Sequence, residues 1–584
     1  MTAAPPPSGR WLWGPAADLL LGCGALYAFV FLVMLTVGPS IRTHQAAFLF
    51  PLLILLVSTP HYGATLVRVY EHGSERRSYK LFSTWLSLGI LALFIYGIFS
   101  PLLASILVTV LFTWSPYHYT GQNYGIAMLF LRRRGVPISS KAQWALWLSF
   151  MFSYGLIFIG LNVAGQQPTT TPRGYTATAI EFMSLNIPMW TFGPMLAAYV
   201  ASLVATAVLF LRAASPRDLA PAAMLILSQG LWFSLPLAVI HWNLPAGEVL
   251  SLQYRAYYFI WIGLAHGIQY LWITSYYANA SDRWHGVLPY WGKTLLAGTA
   301  VWTLPVVVAA PFAMGLTTES QYGTLTYDSG IALLVAACVN IHHFMLDGVI
   351  WKLRRLKIAS VLIRDESATE PQTPSPTGHN WIRPLVWSFA AAALSIAVFV
   401  FWNQSVAYPS SITKQDWQRA GAALDRLAVF GYDSHTQRLR VGQGERAAGR
   451  PESSLRHFQI ASQMNPRSVE ARTSMANVLH ELGKIDASIE YYLEALAIQP
   501  DFVDAHYNLG NALATRHRYR EAVDHFRAVT RLRPDFSSGY TNLGNALLRI
   551  GDKEGAIDAY RTAIRMDPGA INARNNLNRA LQIQ

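Results

Sequence analysis

Apolar runs long enough to cross a bilayer recur through the first 402 residues of this 584-residue chain, then stop. A helix needs about 20 apolar residues to traverse the hydrocarbon core. In that medium every backbone polar group must be satisfied within the protein, so such runs are helices by default. Spans are expected near 17–37, 45–70, 81–99, 101–131, 144–163, 190–212, 219–242, 253–277, 293–314, 329–352 and 385–402. The fold class is therefore all-α. A polytopic transmembrane bundle occupies residues 1–352, and a final crossing at 385–402 is the eleventh of those runs.

Charge fixes the expected orientation. The formal net charge is +13. Much of it sits in short loops beside apolar runs, as at Arg76, Arg77 and Lys80, at Arg132, Arg133 and Arg134, and at Lys352, Arg354 and Arg355. Lys and Arg in such loops set topology, which puts the N-terminus and the even-numbered helix ends in the cytoplasm. The charge is thus no argument for nucleic acid, and the bilayer is the expected partner. An odd number of crossings carries the remainder of the chain outside a plasma or inner membrane. Residues 353–384, rich in Pro, Ser and Thr, read as a flexible cytoplasmic linker. Residues 403–432 read as a connector. Two cysteines, Cys23 and Cys338, exclude a disulfide scaffold and a thiolate-rich zinc site.

After the apolar part a different period takes over. Pro466, Pro500, Pro534 and Pro568 recur every 34 residues, a spacing typical of paired-helix repeats. Asn508-Leu509-Gly510 and Asn542-Leu543-Gly544 recur in phase, as do Ala522 with Phe526 and Ala556 with Tyr560. The copy at 469–502 departs, with Ala476 for the glycine and Ser488 for the alanine. Over 433–584 the chain resembles the tetratricopeptide repeat (TPR) family. The resemblance implies an α-solenoid with a concave groove for a protein or peptide partner, closed by a capping helix at 571–584.

Four apolar runs carry a polar interruption. These are Ser-Thr-Pro-His-Tyr at 58–62, Ser-Pro-Tyr-His-Tyr at 115–119, Ala-His-Gly-Ile-Gln-Tyr at 265–270 and Asn-Ile-His-His-Phe-Met-Leu-Asp at 340–347. Ionisable side chains are expensive in hydrocarbon and face protein or a cavity, so they mark functional sites. His61, His118, His266, His342, His343 and Asp347 are the candidate metal ligands. Thr65, Gln122 and Tyr270 each lie one turn beyond a histidine, on the same helix face, and are expected to orient imidazoles or meet substrate. Imidazoles with a carboxylate suit iron, copper or zinc. With so few thiols, the sharper expectation is iron or copper, or a bis-histidine haem, in an oxidoreductase or oxygenase acting on a lipophilic substrate. The competing reading is a scaffold or transporter whose histidines hydrogen-bond neighbouring helices, for about 0.6–2 kcal/mol each. A membrane glycosyltransferase is a third. Such enzymes generally use an acidic residue in the first extracytoplasmic loop, and residues 38–45 contain none.

Overall fold

The computed structural model describes residues 11–37, 52–70, 80–162, 180, 182–237, 252–280, 287–315, 330–350, 362 and 382–582. Among these residues the chain is helical, with no β-strand. The linker expected at 353–384 lies almost wholly outside them. The chain divides into two compact units: residues up to Pro311 with Ser329–Val406, and Phe312–Asp328 with Ala407–Gln584.

In the first unit six described helices are long and apolar enough to cross a membrane. They are Leu81–Phe99, Ser140–Leu161, Met189–Leu211, Pro216–Leu237, Val287–Ala309 and Pro384–Thr413. A bent pair, Pro15–Gly22 with Ala25–Val33, makes a seventh if it is one span. The shortfall from the eleven expected lies in the four histidine-bearing runs. Pro101–Arg133 has 33 residues and Leu252–Ala280 has 29, but polar residues interrupt both. Thr59–Tyr70 is described over 12 residues, and Ala332–Gly348 is a shorter apolar helix. In the two long helices the side chains that suggest a function also lower the apolarity; the other two are described over fewer residues than a crossing needs.

Two contacts set the helices that matter most. The bent pair turns by 58° at a break containing Gly24, whose φ of 82° suits glycine. Carbonyls at such a break need donors from elsewhere in the protein. Gln269 Nε2 donates to Gly22 O at 3.2 Å and Ser228 Oγ to Cys23 O at 2.8 Å. Buried Asp18 accepts from Leu12 N, Trp13 N and Trp272 Nε1 at 2.6, 3.1 and 3.0 Å. Gln269 and Trp272 both belong to the His266 helix, which is thereby anchored. The His61 helix crosses Val287–Gly315 where Gly63 meets Gly298. A Cβ on Gly63 would lie 1.7 Å from Thr294 O, and one on Gly298 would lie 1.8 Å from Thr59 O. Glycine on both sides permits that close backbone approach.

The second unit is built of helix pairs: His435–Ala447 with Pro451–Met464, Val469–Glu481 with Ile485–Ile498, Val503–Thr515 with Tyr519–Leu532, and Ser537–Arg549 with Lys553–Met566. Ile571–Gln582 follows as the last helix. Each second helix stops two residues before one of the recurring prolines, because the residue preceding a proline is biased out of the helical region. Gly442, Gly510 and Gly544 recur because a ring fills the space a side chain would take. A Cβ there would come within 2.6–2.7 Å of Phe458, Phe526 and Tyr560. Asparagines at the same 34-residue spacing tie neighbouring first helices together. Asn508, Asn542 and Asn576 donate to Asn477, Asn511 and Asn545 at 2.9, 2.8 and 2.8 Å. The expected connector at 403–432 is itself helical. The apolar helix passes polar Asn403 through a π turn at Asn403–Ala407 and runs to Thr413, and Asp416 then caps Trp417–Ala428.

Charge is buried at the start of the repeats. Arg438 is 1% exposed and donates to both oxygens of Asp433, to Asp425 Oδ1 at 2.8 Å and to His457 Nδ1 at 3.1 Å. Arginine offers no acceptor, so Nδ1 of His457 must accept and the ring is neutral. Burial first, and then the Arg438 charge, push His457 down to about 4. In the unfolded chain a histidine titrates near 6.5. As pH falls below that value the unfolded chain takes up a proton that the folded one does not, so stability falls. At about 1.4 kcal/mol per pH unit, the loss approaches roughly 3 kcal/mol by pH 4. Burial lowers His435 as well, adding in the same direction. Amide-exchange protection of residues 417–464 in the whole chain should drop between pH 7 and pH 5. A His457→Gln variant should lose part of that dependence.

Candidate metal centre

Four helices of the first unit bring their interruptions to one place. The His61 ring centroid lies 4.7 Å from that of His266 and 4.3 Å from that of His343, and His118 lies 5.0 and 5.3 Å from the same two. Ligand atoms of His61, His266 and His343 lie within 4.8 Å of one another, and so do those of His118, His343 and Asp347. His61, His266 and His343 are at most 2% exposed. His343 belongs to both groups.

His342 does not join them. Its Nε2 lies 2.7 Å from Ser87 Oγ and 3.4 Å from Tyr70 OH, on another side of the helix. Consecutive helical residues point about 100° apart, so His342 and His343 cannot face the same centre. Asp347, one turn on from His343, does share its face.

A hydrogen-bond cluster holds one side of His343. Tyr270 OH donates to Asp347 Oδ1 at 2.6 Å. Thr65 Oγ1 stands 2.6 Å from Tyr270 OH, 2.9 Å from Asp347 Oδ1 and 2.9 Å from His343 Nδ1. A partner on Nδ1 leaves Nε2 as the nitrogen open to an ion, the kind of orienting contact a metal-bound imidazole commonly has. Asp347 Oδ2 stands 3.6 Å from His343 Nε2 and 3.8 Å from His118 Nε2. The Nε2 atoms of His61, His118, His266 and His343 are buried and have no hydrogen-bond partner among the described residues; neither has Nδ1 of His266. A buried polar atom left unsatisfied costs about 1–3 kcal/mol. Four such nitrogens on neighbouring rings call for a common explanation, and a bound ion is one.

Thr65 and Tyr270 thus stand where the one-turn spacing puts them, against the site. Gln122 does not orient His118. It donates to Gln269 Oε1 at 3.3 Å and lines a cleft beside the histidines. Other residues close the site that spacing from a histidine does not pick out. Tyr119 packs 4.2 Å from the His266 ring, Phe344 stacks 4.4 Å from His118, and Tyr62 OH donates to Asn340 at 2.6 Å. A tyrosine directly after both His61 and His118 was the available signal for two of these; Phe344 carried none. The cleft has a volume of about 380 Å³ and reaches His118, Asp347 and Tyr270.

The described architecture is that of an apolar helical unit joined to a helical-repeat unit. Residues 476–516 match the family described as TPR repeat, and residues 507–571 match the one described as tetratricopeptide repeat. The C-terminal part consists of tetratricopeptide repeats. Among solved structures, MamA is similar at 19% identity over 28% of this chain and 94% of that one, with a TM-score of 0.26. MamA of Desulfovibrio magneticus RS-1 is similar at 23% identity over 25% of this chain and 82% of that one, with a TM-score of 0.24. YrrB, described as a TPR protein with an unusual peptide-binding site, is similar at 19% identity over 29% and 87%, with a TM-score of 0.27. No curated protein matches this chain.

Proposed function

We propose that the chain is an integral membrane oxidoreductase or oxygenase. Its first unit holds an iron or copper ion, and its repeats recruit a protein or peptide partner. The observation that carries this reading is that four buried histidines from four helices, each with Nε2 unpartnered among the described residues, fall into two overlapping groups that share His343. His61, His266 and His343 would hold the ion, with His118 and Asp347 on the side of the cleft. The donor sets fit this use: three imidazoles suit copper or iron, and two imidazoles with a carboxylate are the set of non-haem iron oxygenases. An ion is favoured over haem, because a bis-imidazole haem places its macrocycle between two rings, and the rings here pack directly against one another. When bound, the ion would supply redox chemistry. The chain would position it, exclude water, and orient the His343 imidazole through Thr65.

Counting the four site helices and the bent pair beside the six long apolar helices gives a topology of eleven crossings. The positive-inside rule then leaves the N-terminus in the cytoplasm and the repeats outside. Metal analysis of the purified protein tests the function directly. About one iron or copper per chain is expected, and Thr65→Val should weaken its retention by about 10–100-fold, as loss of an orienting partner typically does. Folded wild-type protein that takes up neither metal would rule the reading out.

A further inference from the structure

The cleft beside His118 and Asp347 contains a second pattern, in its glycines. Gly121 and Gly125 lie one turn apart on the His118 helix, and Gly348 follows Asp347; all three line the cleft. A Cβ added at any of them would meet nothing within 4 Å. Glycine weakens a helix interior relative to alanine, and no neighbour requires it at these positions. Gly63 and Gly298, where backbones touch, are the opposite case. The three glycines keep space open, and Tyr117, Gly121 and Gly348 are exposed along its mouth.

The other walls define what the space accepts. Trp114, Trp147, Met151, Ile126, Leu129 and Phe344 make most of the lining apolar and aromatic. Among the described residues no Lys or Arg lines it, so an anionic head group would find no countercharge among them and would face Asp347. A cationic ligand fares no better, since Asp347 Oδ1 is already taken by Thr65 and Tyr270 and Oδ2 faces imidazoles. At about 380 Å³ the space is at the small end of sites for drug-sized molecules, about 300–1,000 Å³.

We infer that this cleft binds a neutral, mostly hydrocarbon lipid or ring compound and presents it at His118, with Gly121, Gly125 and Gly348 making the room. Its use as a substrate rests on the proposed metal centre; the binding itself does not. The test uses the full chain in lipid nanodiscs with 1-pyrenebutanol as a neutral probe and 1-pyrenebutyrate as its anionic counterpart. Energy transfer from tryptophan reports binding, since Trp114 and Trp147 stand in the wall. The alcohol should bind saturably, above its partitioning into empty nanodiscs, and the carboxylate at least tenfold more weakly. Gly125→Leu, which fills the cleft, should weaken the alcohol at least tenfold while metal content stays at the wild-type level. Gly348→Leu, on the facing wall, should do the same. No saturable binding, equal binding of the two probes, or wild-type binding in both leucine variants would overturn the inference. Wild-type protein that lacks metal but binds the alcohol in a Gly125-dependent way would remove the metal centre and leave the binding site standing.

Discussion

Replacing His343 by glutamine is expected to strip the metal from the purified protein and leave its helices folded. His343 is the one side chain common to both ligand groups. Its Nδ1 is held by Thr65 and its Nε2 is turned inward without a protein partner. Glutamine is similar in length, and its amide can still meet Thr65. It supplies no imidazole nitrogen to the centre. Nε2 has no protein hydrogen-bond partner among the described residues, so its removal breaks none. Metal per chain, measured by mass spectrometry, should fall at least tenfold. His118→Gln should lower it less, since His61, His266 and His343 remain as a complete set of three. Undiminished metal in the His343 variant would show that the two groups do not form one centre.

The second large effect is expected far from any ligand atom. Gly63→Ala or Gly298→Ala places a methyl group 1.7 or 1.8 Å from a facing backbone carbonyl. No flexible side chain can move aside there, so the two helices must part. Overpacking typically costs about 1–3 kcal/mol, and a backbone clash belongs at the upper end or beyond. His61 is two residues from Gly63, so separation also pulls a ligand out of place, and sites 1 Å too loose commonly fail. Both variants should melt at lower temperature in detergent and lose most of their metal. Gly89→Ala is the control. A Cβ there meets nothing within 4 Å, and alanine should stabilise that helix by about 0.5–1 kcal/mol. Equal melting of all three variants would show that the Gly63–Gly298 crossing does not hold the site.

These glycines mark the limit of what can be read from the sequence. Gly63, Gly125 and Gly298 are the same letter in apolar helices, yet one role is contact and the other is space. Only the neighbour across the gap tells them apart. Periodic features were legible because they repeat. The 34-residue spacing located the helix pairs, and apolar length located the six long apolar helices. The histidines were legible as polar atoms in apolar runs, and the i,i+4 rule picked out Thr65, Tyr270 and Asp347. What was not legible was rotation about each helix axis. His342 and His343 are adjacent in sequence, yet one bonds Ser87 and the other faces the centre. Gln122 has the spacing of Thr65 and turns to Gln269 instead. The helical segment at 403–432 was missed because Asn403 looks like a stop, while its Nδ2 simply bonds Phe399 O one turn back, at 2.9 Å.

The polar interruptions in the four site-bearing helices have a consequence for how a chain with the proposed crossings is made. A segment enters the bilayer on its own apolarity, and polar residues near its centre count heavily against it. The helices with His61, His118, His266 and His343 each carry such residues. They depend on apolar neighbours already in place to shelter their polar faces. Biogenesis would then be hierarchical: the strongly apolar segments form a frame first, and the ligand-bearing ones settle into it. The proposed centre would then be complete only after the last of the four had docked.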